Sequence, residues 1–425
     1  MNILVVTKGF PHPESEDAIQ KVYLLIQKLV QKNKKVDLLS IQLPSFYKNY
    51  KPVDILNKDE SDFRSEFKNM NIDTFYIDNR NIFFKIIFKL RKLLSYNYNW
   101  FYKNTSLCEK IANVIQERSP DVVLAFYDSE ILASCVENLK KMNNFRIIYF
   151  TGLMNFEVEV IRMENVLRNY NNFFCKLFIF LKFKFLIFKL RYFFIQLCNN
   201  ASLNIFFDTD SVVRAKKIGI KNVEYCSQYV RDFGGENWLS RKKKSKDILF
   251  LNAALTTTNI NATDNLINYI IPHLEVLKKK NDKIFNNLIV AGTKNELTER
   301  IKLLNIPWII FPGWINEISK IFLNAKVMIV TNDSFLGSRT KVFHALSCGL
   351  PVITHECNIR YHPNLINKKN VLKADNFQHM KNLISEFLNG EINEIELSLN
   401  ARKAFEQNYK KEEILNVLVN KIENI

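Results

Sequence analysis

The sequence contains no CxxC pair. Its seven cysteines, Cys108, Cys135, Cys175, Cys198, Cys226, Cys348 and Cys357, are scattered over 425 residues, so neither a disulfide framework nor a zinc site is expected, and a reducing compartment suits the chain. His273, His355 and His362 have no metal-ligand spacing. There is no repeat period and no low-complexity segment. Residues 1–8 lack the basic-then-apolar layout and cleavage site of a signal peptide and read as a first strand. Acidic residues are missing between Asp78 and Glu109 and again between Glu164 and Asp208. The formal charge of +17 calls for an anionic partner: nucleic acid, a phospholipid surface or a phosphorylated substrate.

What is present is an alternation of apolar runs and helical periodicity, with 47% hydrophobic residues and a length that fits two domains. Ile3 to Val6 is an apolar run, 7–17 a loop, 18–33 helical and 36–40 a second strand. Strands are expected at 121–126 and 146–150 with a helix between them, and at 203–207 before a polar helix start. That last step closes an N-terminal Rossmann-like half, 1–230. Gly234-Gly235 and the basic run Arg241 to Lys244 break the pattern, placing a linker at 231–246. A second series, 247–405, has strands at 247–252, 287–291, 308–311, 327–330 and 352–354. In the segment 406–425, a helix over 411–422 has no strand after it and is free to pack back on the first domain.

The segment from Gly337 to Thr354 concentrates the chemistry. Gly337, Ser338, Arg339, Thr340 and Lys341 lead into an apolar helix that stops at Cys348-Gly349, before Pro351 and a buried strand. A helix start with two cations favours an anion. The plainer reading is an ordinary helix-to-strand connection with a solvated basic loop.

Four parts of the sequence resemble a family 4 glycosyltransferase of the GT-B fold (glycosyltransferases group 1). They are the first strand with Phe10-Pro11-His12-Pro13 and Ile19-Gln20-Lys21-Val22; Asn155-Phe156-Glu157; Asn259-Ile260-Asn261-Ala262 through Pro272; and Gly313 through Pro351. The resemblance implies an α/β chain with two Rossmann-like domains facing a central cleft, a nucleotide sugar in the second and the acceptor in the first. It implies donor binding by Asn259, Gly313, Trp314, Ser338, Arg339, Thr340, Lys341 and His344, with Arg339 and Lys341 on phosphate and Gly313-Trp314 near the base. Neither a metal nor another cofactor is implied.

The departures are specific. Leu336 and His344 stand where the family usually has glutamates, the second of which accepts hydrogen bonds from the ribose hydroxyls; a neutral imidazole accepts only one. Glu16-Asp17 replace a glycine pair of the first βα loop, and Met154 replaces a histidine. One reading is an inverting enzyme whose general base is Asp17 or Glu16, with a CMP-linked acidic sugar as donor; the other is lost activity. Asp17 also suits a helix cap. Glu157 is a candidate for sugar hydroxyls, or a solvated carboxylate at a helix start. Asp208-Thr209-Asp210 imitates a metal-binding DxD, but its place after a strand suits capping.

The two acid-free stretches are rich in aromatics and cations. In 173–194, Lys182 and Lys189 form one helical stripe and Lys184 and Arg191 another, leaving two apolar faces, one for the domain and one for a lipid boundary. In the first stretch Lys85, Lys89 and Lys92 oppose Phe84, Ile87, Leu90 and Leu94. Buried helices with cation-coated surfaces are the alternative. Nucleic acid fits less well, because the phenylalanines sit in continuous runs rather than as spaced platforms. The sequence therefore reads as a glycosyltransferase peripheral to the cytoplasmic face of the cell membrane, moving a sugar to a lipid-linked or surface-polysaccharide acceptor. A catalytically silent protein that binds glycan or scaffolds a membrane assembly is the rival.

Overall fold

The computed structural model describes residues 1–8, 10–11, 18–42, 53–76, 106–126, 145–151, 156–157, 160, 163–164, 167, 172–241, 245–251, 257–292, 295–313, 315, 317–333 and 339–425. Among them, strands form two parallel sheets. The first comprises β1 (Asn2–Lys8), β2 (Lys35–Gln42), β3 (Ile72–Tyr76), β4 (Val122–Phe126), β5 (Arg146–Thr151), β6 (Leu203–Phe206) and β7 (Val223–Tyr225), in the order β3-β2-β1-β4-β5-β6-β7. The second comprises β8 (Ile248–Leu251), β9 (Leu288–Ala291), β10 (Ile309–Gly313), β11 (Val327–Val330), β12 (Val352–His355) and β13 (Leu372–Ala374), in the order β10-β9-β8-β11-β12-β13. Order reverses between β1 and β4 and between β8 and β11, so each sheet has a crevice beyond the carboxyl ends of those strands.

Among the described residues, the helices longer than about one turn are, in chain order, α1 (Ala18–Gln31), α2 (Val53–Glu66), α3 (Ser106–Arg118), α4 (Phe173–Asn200), α5 (Thr209–Lys217), α6 (Thr257–Asn265), α7 (Ile271–Lys280), α8 (Glu296–Lys302), α9 (Ile318–Leu323), α10 (Thr340–Ser347), α11 (Phe377–Leu388), α12 (Glu394–Asn408) and α13 (Lys411–Glu423); a single turn, Trp238–Arg241, lies between α5 and α6. A π-helical turn, Leu266–Ile270, joins α6 to α7.

Central strands such as Ile3 to Val6, Val122 to Phe126 and Val327 to Val330 are buried on both faces, which is why they read as unbroken apolar runs. The three strands the sequence does not announce, β3, β7 and β13, are all sheet edges. Each mixes polar and apolar residues, as in Ile-Asp-Thr, Val-Glu-Tyr and Leu-Lys-Ala, because an edge is covered on fewer sides. The first sheet therefore runs one strand beyond the expected last step at 203–207. The helix expected between β4 and β5 lies outside the described residues.

The last helix covers the first sheet. Leu415, Leu418, Val419 and Ile422 of α13 join Val22, Leu25, Ile26 and Leu29 of α1 in one core, and Lys34 pairs with Glu423 at 2.5 Å. Residues 231–241 fold onto the second sheet. Phe233 enters its core, and Arg402 of α12, with its side chain 5% exposed, pairs with Asp232 at 2.5 Å. Arg402 also donates to the Ser347 carbonyl and, at 3.2 Å, to that of Gly235. Val230 bridges Lys410, and Arg231 N–H donates to Gln20 Oε1 of α1 at 3.0 Å.

Candidate functional site

Strand β11 ends at Val330, and the chain returns as α10, whose cap residue Arg339 has extended backbone and no side-chain cap. The early N–H groups of α10 thus lie at the mouth of the β8/β11 crevice. Arg339 Nε donates to Asn358 Oδ1 at 3.1 Å. Asn358 is itself buried, and its amide donates to the Asn332 carbonyl at 2.8 Å and to Thr354 Oγ1 at 3.0 Å. Burial holds the Arg339 guanidinium down to about 10, with Cys357 acting weakly the other way, so it remains a cation at neutral pH. Lys341 Nζ donates to the Leu251 carbonyl at the end of β8, at 2.9 Å. Both cations are partly buried and held beyond the carboxyl ends of β8 and β12, the strands on either side of β11.

The opposite lip comes from α6. The Asn259 carbonyl accepts from Thr263 Oγ1 at 2.8 Å, and Asn265 Nδ2 donates to the Thr331 carbonyl at 2.9 Å. The π-turn follows directly, a distortion frequent at functional sites. Gly313 ends β10 with φ 78°, a conformation that disfavours side chains. Asn259, Gly313, Arg339, Thr340 and Lys341 thus lie along the carboxyl edge of one sheet. Trp314 and Ser338 lie outside the described residues.

His344 lies in the interior. It is 0% exposed and stacks on Phe233, centroids 4.6 Å apart. Burial, with Lys21 adding to it and the Arg231 backbone opposing, pushes its imidazole down to about 3. The ring is neutral and buried in the seam between α10 and the incoming chain.

On the first sheet, Glu157 is tethered rather than solvated. Arg214 of α5 donates to it, and Arg214 also pairs with Asp210 at 2.5 Å. Burial raises the Glu157 carboxyl above its ordinary range although Arg214 pulls against it. Asp208 caps α5, accepting from Ser211 N–H at 2.6 Å. Glu16 and Asp17 lie outside the described residues. The histidines are structural: His273 Nε2 meets Ser385 Oγ at 2.9 Å, His355 Nδ1 accepts from Cys357 N–H at 3.3 Å, and buried His362 packs edge-on to Phe343. Sequence reasoning missed Asn358 and Arg214. The signal for Asn358 was its place just beyond β12, and for Arg214 its i,i+4 spacing from Asp210.

Helix α4 begins at Asn172, whose side chain accepts from the N–H groups of Phe174 and Cys175. The expected pair of apolar faces, one packed and one free, holds only in its second half. Leu190, Phe193, Phe194, Leu197 and Cys198 are buried, whereas Phe173, Phe174, Phe178, Leu181, Phe185 and Phe188 are exposed, Phe174 to 78%. The reason is that phenylalanine recurs on every side of the first turns, so no single face could carry them all. Lys184 and Lys189 sit over the rings of Phe180 and Phe185, 5.2 and 5.4 Å from their centroids. Lys182 and Arg191 lie on the same helix; Lys85, Lys89 and Lys92 lie outside the described residues. No helix among the described residues is long and apolar enough to cross a membrane.

Two parallel sheets, each with a crevice at its switch point, define a GT-B fold, and solved structures agree along the whole chain. Sucrose-phosphate synthase from Thermosynechococcus elongatus is similar with TM-score 0.67 and 11% identity, over 100% of this chain and 98% of that one. Anabaena HepE, in complex with UDP and glucose, gives 0.64 and 13%, over 100% and 99%. A mutant S. aureus TarM, in complex with fondaparinux, alpha-GlcNAc-glycerol and UDP, gives 0.64 and 12%, over 99% and 99%. Residues 245–389 match the family model described as Glycosyl transferases group 1. The chain is a divergent GT-B protein that resembles this family, with the match confined to the half that carries Arg339 and Lys341. No curated protein matches it in sequence.

Proposed function

We propose that the protein is a glycosyltransferase that takes a sugar from a nucleotide-sugar donor and passes it to a lipid-linked or surface-polysaccharide acceptor at the cytoplasmic face of the cell membrane. The observation that carries the reading is the convergence of Arg339, Lys341 and the first turn of α10 on the carboxyl ends of β8 and β11. Two fixed cations and oriented N–H groups suit a diphosphate, and no metal is needed to offset its charge. The UDP and UDP-glucose held by HepE support a nucleotide sugar as the donor class; a CMP-linked acidic sugar is the variant suggested by Glu16-Asp17. Glu157 is the acceptor-side carboxylate, with Asp17 and Glu16 as the other candidates for the base. The exposed front of α4 supports a membrane-bound acceptor, since rings and cations on one helix suit a lipid boundary. The test is thermal stabilisation by CMP, UDP, GDP and ADP: a ligand at 100 times its dissociation constant adds about 2.7 kcal/mol. A panel that stabilises nothing defeats the donor reading.

A second reading, a catalytically silent GT-B protein that binds glycan or scaffolds a membrane assembly, is favoured by His344, which lies buried where the family has a ribose-binding glutamate. Sugar transfer by purified protein supplied with a membrane extract separates the two.

A further inference from the structure

The side chain of Asn358 bonds both ends of the connection between β11 and α10. Its Nδ2 donates to the carbonyl of Asn332, just past β11, at 2.8 Å, and its Oδ1 accepts from Nε of Arg339, the cap residue of α10, at 3.1 Å. Nδ2 also donates to Thr354 Oγ1 at 3.0 Å. That hydroxyl gives its own hydrogen to the His355 carbonyl at 3.2 Å, so toward Asn358 it presents a lone pair. A carbonyl and a hydroxyl already donating elsewhere can only accept. The amide therefore has one orientation: both of its hydrogens are used, and its oxygen must face Arg339. Asn332, Thr354 and Asn358 are each no more than 1% exposed, so water competes little for these bonds. The short turn that carries Asn358 is closed as well. Cys357 N–H donates to His355 Nδ1 at 3.3 Å, and Ile359 N–H to the Glu356 carbonyl at 3.0 Å.

We propose that Asn358 is a positioning residue of the donor site: it holds the Arg339 guanidinium in one plane beside the first turn of α10, and does so without offsetting its charge. Three features give this hold its use. The bond is made at Nε, so it sets the plane of the fork and takes none of the Nη–H donors with which a guanidinium meets a phosphate side by side. The tether is a neutral amide, whereas a carboxylate in its place would cancel the cation that an anion needs. An arginine already held in place gives up its side-chain freedom on folding rather than on binding, which leaves more of the interaction for affinity. The meeting of Arg339 with donor phosphate rests on the reading above; the hold of Asn358 on Arg339 does not.

The test uses the full-length protein as wild type, Asn358→Ala, Thr354→Val, Arg339→Ala and the double variant Asn358→Ala with Arg339→Ala. Without ligand, the Arg339 Nε–H resonance, recognised by its loss in Arg339→Ala, reports the bond directly. Its exchange with water should quicken about tenfold in Asn358→Ala, the factor a hydrogen bond to a charged group supplies, and about threefold in Thr354→Val, which releases one side of the amide. An unchanged rate in Asn358→Ala overturns the proposal. With ligand, UDP and inorganic pyrophosphate are titrated by calorimetry. Asn358→Ala should weaken both about tenfold in the wild-type background and add nothing in the Arg339→Ala background. Equal weakening in the two backgrounds would mean that Asn358 only supports the fold, and overturns the positioning role. Asn358→Asp, which keeps an oxygen toward Arg339 but adds a negative charge, should bind both probes more weakly than Asn358→Ala; tighter binding overturns the argument from neutrality. If wild type binds neither probe, the donor reading fails, while the Nε–H resonance still decides whether Asn358 holds Arg339.

Discussion

The imidazole of His344 stacks on the ring of Phe233, centroids 4.6 Å apart and planes inclined by 30°. Phe233 belongs to the chain crossing between domains and His344 to the helix that follows the anion loop, so the stack seals one against the other. Burial keeps the His344 ring neutral, pushed down to about 3, and burial does the same to His362, pushed down to about 4. Unfolded, both titrate at about 6.5. Below that pH the unfolded chain takes up protons that the folded one refuses, so stability is whole above about 6.5 and is lost as pH falls toward the folded values. Each ring can contribute a slope of up to about 1.4 kcal/mol per pH unit. Urea unfolding between neutral pH and mild acid should show this loss, and His344→Gln should flatten it; an unchanged slope would contradict the assignment.

Removing a cation from the anion loop should reduce nucleotide affinity without unfolding the chain. A charge-assisted hydrogen bond contributes about 1.5–3 kcal/mol, so Arg339→Ala and Lys341→Ala should each weaken binding by roughly ten- to hundredfold in calorimetric titration. Rising salt should weaken the wild type more than either variant. Variants that bind as well as wild type would move the donor elsewhere.

Each cation near an anionic leaflet adds about 1 kcal/mol. Lys182→Gln combined with Lys184→Gln should therefore lower affinity for anionic vesicles by about thirtyfold in flotation while hardly altering binding to neutral ones. Phe174→Ser with Phe178→Ser should reduce both. Wild-type protein that floats with neither vesicle removes the membrane from the picture.

Gly349 ends α10 with φ 58°, and a Cβ there would fall inside the ring of Trp238. Gly349→Ala combines a left-handed penalty of about 1 kcal/mol with overpacking of about 1–3 kcal/mol. The melting temperature should drop by several degrees, and Trp238→Leu should recover part of it. Equal losses in the presence and absence of the indole would show that the clash is not with Trp238.

Arg402 is buried against Asp232, whereas the Lys302–Glu299 pair lies on the surface. Arg402→Ala strands two carboxylates, Asp232 and Glu406, and two carbonyls and should cost about 3–5 kcal/mol; Lys302→Ala should cost less than about 1 kcal/mol. Denaturant midpoints of the two variants measure the difference, and similar values would mean that Asp232 reaches water when Arg402 is gone.

The central strands and the anion loop were legible because their chemistry is local. A parallel strand buried on both faces must be apolar throughout, and a glycine followed by proline after an apolar helix has few other uses. The edges β3, β7 and β13 were not, since their sequences answer to one neighbour and to solvent. The roles of Asn358 and Arg214 were illegible for a different reason. Their roles arise from partners far away in sequence, as when Arg214 meets Glu157, and no spacing rule encodes such a meeting. His344 was legible as a departure but not as a buried ring, because the residue that covers it, Phe233, comes from a segment that read as linker.

The chain passes between the two sheets twice, and the passages lie side by side: Val230 bridges Lys410, and Ser227 Oγ donates to the Asn408 carbonyl at 3.3 Å. A single covalent tether between two bodies is a swivel that bends and twists freely. Two parallel tethers bonded to each other behave as a door hinge, which folds about one line and resists rotation about the other two. Motion between the domains is thereby reduced to one coordinate, and every opening returns the same pair of surfaces to each other. The arrangement also makes the first domain discontinuous: cutting the chain before α13 strips the cover from Val22, Leu25 and Leu29.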